Sequence, residues 1–103
     1  MRYQLVLQFR GDSLSDYDAL VALENELISD LGATARVDGH DLGSGEANIF
    51  ILTSDPRQTF RQAMPCLERS GRLQQAKAAF RDVGSDCFTV IWPAGSNEKF
   101  MLA

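Results

Sequence analysis

Polar and apolar residues alternate from Arg2 to Arg10, with Tyr3, Leu5, Leu7 and Phe9 on one face and Gln4, Val6, Gln8 and Arg10 on the other. That period of two predicts a half-buried strand. After Gly11-Asp12 the period changes: Tyr17, Leu20, Val21, Leu27, Ile28 and Leu31 recur at helical spacing up to Gly32, with Ser13 or Ser15 as N-cap, which predicts a helix over 14–31. Ala33 to Val37 reads as a short second strand, and Ala47-Asn48-Ile49-Phe50-Ile51-Leu52-Thr53 as a third. The third is apolar on both faces, as an interior strand of a sheet must be.

Asp55-Pro56 starts a second helix, because the Asp side chain can cap orphan amides and proline at the first position gives up an amide that had no partner. It is expected to reach Ser70, bent or divided at Pro65 and stopped by Gly71. Leu73, Ala76, Phe80 and Val83 are spaced for a further short helix, Cys87 to Trp92 makes the last strand, and Pro93 ends it. From Ala94 no pattern remains.

The order βαββα(α)β predicts an α+β fold, a ferredoxin-like split βαβ sandwich: four antiparallel strands in the order 4-1-3-2 with the helices on one face. Residues 1–93 form one domain and 94–103 a C-terminal tail. Leu5, Leu7, Leu20, Leu27, Ile49, Ile51, Phe60, Leu67 and Val90 are expected to share the core. Gln4, Val6, Gln8, Thr89 and Ile91 should form the helix-free face, through which a homodimer could pair. The segment Asp38-Gly39-His40-Asp41-Leu42-Gly43-Ser44-Gly45-Glu46 becomes a hairpin loop, with Asp38 and Glu46 near its base and His40 and Asp41 toward its tip.

Length and charge narrow the function classes. A chain of 103 residues, 45% hydrophobic, has room for one core and no second domain. Its alternating start is unlike the apolar run of a secretory signal, and no stretch is long enough to span a membrane, so a cytoplasmic protein is expected. Cys66 and Cys87 lack metal-ligand spacing and read as reduced thiols in or near the core. The net charge of −4 argues against a general phosphate-binding surface. The first strand also presents no outward aromatic for base stacking, which argues against an RNA-recognition sheet. Acids concentrate in residues 12–46 and bases in 55–82, so the molecule is expected to be a charge dipole.

The glycine-rich segment holds the only histidine. An imidazole can take or give a proton at physiological pH, and a neighbouring carboxylate can orient it, so His40 could act as a general acid/base with Asp41 or Glu46 while the amides of Gly43, Ser44 and Gly45 stabilise an anion. Against this, a solvated tip gives little enclosure. One histidine without paired cysteines is a poor zinc set, and the register of a calcium loop is absent, so no metal or other cofactor is expected. No second histidine exists to complete a nucleophile triad.

The run Asp38 to Phe50, with Ser54-Asp55-Pro56, Ala78-Ala79-Phe80-Arg81 and Thr89-Val90-Ile91-Trp92-Pro93, resembles a group of small uncharacterised bacterial proteins of one-domain length. The resemblance implies a stand-alone cytoplasmic, ferredoxin-like domain and carries over no catalytic residue. Three readings of the segment stand open. The first is a non-catalytic module contacting a small molecule or protein through Asp38, Gly39, His40, Asp41, Gly43, Ser44, Gly45, Glu46 and Asn48. The second is a small enzyme using His40, Asp41 and Glu46, and the third is a purely structural hairpin.

Overall fold

A computed structural model describes residues 2–10, 17–43, 45–96, 100 and 102. The expected caps Ser13 and Ser15, the start of the first helix and Ser44 lie outside the described residues. Strand β1 is Tyr3–Arg10, helix α1 Tyr17–Leu31, β2 Ala35–Gly43, β3 Glu46–Thr53, helix α2 Pro56–Arg69, β4 Ala76–Asp82 and β5 Thr89–Trp92. Short 3-10 turns at Gly32–Thr34 and Leu73–Gln75 precede β2 and β4. The fold is α+β; the described residues form two helices and one five-stranded antiparallel sheet ordered β2-β3-β1-β4-β5.

Two elements correct the sequence reading. The expected third helix is instead β4, which pairs with β1 from Tyr3↔Asp82 to Phe9↔Ala76. The spacing of Ala76 and Phe80 fits a helix, but Ala76, Ala78 and Phe80 also alternate, and the otherwise unpaired edge of β1 decides between the two periods. The expected fourth strand becomes a fifth, four residues long, at the sheet margin beside β4. A shift in register between Ala78 and Ala79 turns Ile91 and Trp92 toward the helical core and leaves Val90 on the other face.

The core lies between the helices and the sheet. Leu5, Leu7, Phe9, Leu20, Leu23, Leu27, Ile49, Ile51 and Leu67 are buried there, with Phe60 and Cys66 of α2. Of the expected core set, Val90 alone belongs to the opposite face. Asp55 caps α2 by accepting from the Gln58 amide at 3.1 Å, with Pro56 in the first turn. Pro65 does not divide the helix, because it sits on the exposed side, where the carbonyl it leaves unpaired can be hydrated. Beyond Ser70, Gly71 at φ +71° lets its own amide reach the Glu68 carbonyl and that of Arg72 reach Leu67, the double bond of a Schellman stop.

The helix-free face is partly covered by the chain itself. Val6 and Ala79 are fully buried beneath Phe100, whose ring centroid lies 4.9 Å from that of Phe88.

Candidate functional site

The glycine-rich segment is mostly strand. β2 runs to Gly43, which pairs with Glu46 of β3, and Gly45 just before that strand takes φ +77°. This corrects the expected long loop: Glu46 is at the tip, Asp38 is far down the strand, and His40 and Asp41 are paired opposite Ile49 and Asn48.

A bulge at Asp38 decides where each side chain goes. The register steps from Val37↔Ile51 to Gly39↔Phe50, leaving Asp38 as the extra residue, and Gly39 adopts φ +146°. One inserted residue exchanges the two faces of everything after it. Ala35 and Val37 point toward the helices before the bulge; His40 and Leu42 do so after it, while Asp41 is turned outward. Without the bulge, Asp41 would face the core.

The turned-in imidazole meets α1. His40 Nδ1 lies 2.7 Å from Oε1 of Glu24, and both side chains are largely covered, 25% and 12% exposed. An Nδ1–H donated to a carboxylate fixes the ring orientation and tautomer. The orienting acid is therefore Glu24, not Asp41 or Glu46. A signal for it existed in the sequence: Glu24 is four residues after Leu20 and one after Leu23, at the margin of the apolar stripe of α1, where a carboxylate needs a partner.

The remaining residues disperse. Asp38 is held by Arg36 at 2.9 Å on the exposed edge. Asn48 is 2% exposed on the helix-free face, where its Oδ1 accepts from Gln8 Nε2 at 3.1 Å. Read across the strands at that level, the outer face runs Asp41, Asn48, Gln8, Lys77.

Gly45 and Glu46 join a different set of residues. They border a cleft of about 610 Å³ with Gln8, Phe9 and Arg10 from the end of β1, Gln74 to Lys77 at the start of β4, and Pro93. The sheet builds this cleft because the β2–β3 tip, the end of β1 and the beginning of β4 lie side by side: Arg10 is opposite Glu46, and Lys77 is opposite Gln8. Sequence reasoning missed Gln8, Arg10, Gln74, Gln75 and Lys77 as site residues. Their convergence depends on β4, where local spacing alone predicts a helix.

Among the described residues no cluster of three or more His, Cys, Asp or Glu side chains could hold a metal ion, and no helix is long and apolar enough to cross a membrane. No protein-family model matches the chain, and no curated protein matches it significantly.

Proposed function

We propose that the protein is a non-catalytic binding module that takes a small polar molecule in the cleft at the β2–β3 tip. The observation that carries this reading is the cleft itself: 610 Å³, within the range of small-ligand sites, and walled by Gln8, Arg10, Glu46, Gln74, Gln75 and Lys77. It keeps the hairpin as the recognition element, through Gly45 and Glu46, and moves His40 out of it. We read the fold as a ferredoxin-like split βαβ sandwich extended by an edge strand. The order β2-β3-β1-β4 supports this, since it is 4-1-3-2 read from the other side. In keeping with the resemblance drawn from its sequence, we place the protein in the bacterial cytoplasm.

A thermal-shift screen of small polar metabolites tests the reading, because a ligand that binds only the native state raises its melting temperature. A stabilising compound should lose its effect in Arg10→Ala and Lys77→Ala and keep it in His40→Ala. A compound whose shift survives both cleft substitutions would overturn the cleft assignment.

One observation favours a second reading. The His40 and Glu24 pair, 2.7 Å apart and largely covered, has the form of an oriented acid/base. Under that reading His40→Ala and Glu24→Gln abolish turnover of a substrate found by screening, while the cleft substitutions leave it intact.

A further inference from the structure

The walls of the cleft differ in charge. Arg10 and Lys77 bring two cations from β1 and β4, Glu46 brings one carboxylate from β3, and Gln8, Gln74 and Gln75 add three neutral amides. The pairing spaces them. Arg10 and Glu46 are direct cross-strand neighbours, whereas Lys77 is opposite Gln8 and so diagonal to Arg10 on the same face. Direct and diagonal neighbours of this kind stand about 5 Å and about 7–8 Å apart. Pro93 is exposed and adds an apolar ring to the lining, while Phe9 and Ala76 border the cleft with their side chains buried on the helical side of the sheet.

Resting on the cleft reading above, we infer that the ligand is an acidic α-amino acid, a small molecule with two carboxylates and one ammonium group joined by a short hydrocarbon stem. Its charges mirror those of the walls: two anions for Arg10 and Lys77, one cation for Glu46. Gln8, Arg10, Glu46 and Lys77 are already engaged within the chain. A ligand offering both signs replaces such contacts in kind, whereas one offering a single sign strips partners from groups it cannot satisfy. The Pro93 ring offers the methylene stem an apolar contact, and the glutamine amides can donate to carboxylate oxygens.

Isothermal titration of the full chain distinguishes the class, with L-glutamate, glutarate and L-lysine as probes. L-glutamate should bind at least tenfold more tightly than glutarate, which has both carboxylates and no ammonium, and than L-lysine, whose charge balance is inverted. Glu46→Gln should weaken L-glutamate at least tenfold and erase its advantage over glutarate; Lys77→Gln should weaken both acids. Melting curves establish that each variant is folded, and the two substitutions on separate strands serve if one of them is not. Glutarate binding as tightly as L-glutamate, indifference to Glu46→Gln, or no binding of any probe would each overturn the ligand class. The cleft reading falls separately, if a compound from the metabolite screen keeps its stabilisation in Arg10→Ala and Lys77→Ala.

Discussion

Cys66 and Cys87 show how differently one residue type behaves in two surroundings. Cys66 is fully buried on the inner side of α2, and burial, with the carboxylates Glu26 and Asp30 nearby, pushes its thiol up from the usual range; Arg69 pulls the other way. Cys87 is exposed. A thiol reagent at neutral pH should therefore label Cys87 at once and Cys66 only as the chain unfolds. Because folding keeps Cys66 protonated where an unfolded thiol ionises, its contribution to stability is intact below about pH 8.5 and declines as pH rises past it. Cys66→Ala should flatten that decline in denaturant titrations; an unchanged slope would remove the thiol as its cause.

His40 makes a second residue-scale test. Cutting it to Ala leaves the Glu24 carboxylate, 12% exposed, without its partner, and should lower stability by about 1–3 kcal/mol. Glu24→Gln combined with His40→Ala should cost less than the two single changes added together, since they share one interaction. Additive losses would show that the two side chains act independently.

At the scale of elements, the bulge in β2 separates conformational need from space. An added Cβ would meet nothing within 4 Å at Gly39 or at Gly43, yet only Gly39 has a φ that side chains resist. Gly39→Ala should thus cost about 1–3 kcal/mol in chemical denaturation, and Gly43→Ala little or nothing. Equal effects would mean that the bulge is not held by that torsion. Leu7→Ala and Ile51→Ala, cross-sheet members of the core, should each cost about 2–5 kcal/mol.

These elements also mark what could be read without coordinates. β1, β3, the Asp55 cap and the Gly71 stop were legible because each follows from local periodicity or from a residue with one backbone use. β4 was not: Ala-Lys-Ala-Ala-Phe is a good helix former, and only the open edge of β1, some seventy residues earlier, makes it a strand. The same nonlocality hid the site. Gly45 and Glu46 were singled out for their glycine-rich setting, but the residues that complete their cleft come from β1 and β4. Reading the glycine-rich run as a loop puts His40 toward its tip; the strand and the bulge at Asp38 that turn it inward leave no periodic mark in so short a run.

For the molecule as a whole, Phe100 and the helix pair govern which surfaces are available. Arg69 of α2 bonds Asp30 of α1 at 2.7 Å and approaches Glu26 at 3.9 Å, so the expected charge dipole is partly cancelled where acidic and basic helices lie side by side. On the opposite face, pairing of two copies over Val6 and Ala79 requires Phe100 to leave. Phe100→Ala should destabilise the protein by roughly 1.5–3 kcal/mol and raise its tendency to associate, measured by sedimentation across a concentration series. A variant as stable as the parent and no more prone to associate would show that the ring is not what shields this face.

The central position of β1 has a further consequence for how the chain is made. Ribosomes deliver this strand before either of its neighbours: β3 begins at Glu46 and β4 at Ala76, yet both lie against it in the finished sheet. Until they emerge, Leu5, Leu7 and Phe9 sit in a segment with two open hydrogen-bonding edges, one of which waits for β4, some seventy residues further along. Contacts so distant in sequence close slowly, and unpaired edges invite intermolecular pairing meanwhile. Synthesis should therefore be the hazardous stage in the life of this small protein, and the yield of soluble material should depend more on translation speed and holding chaperones than on the stability of the native state.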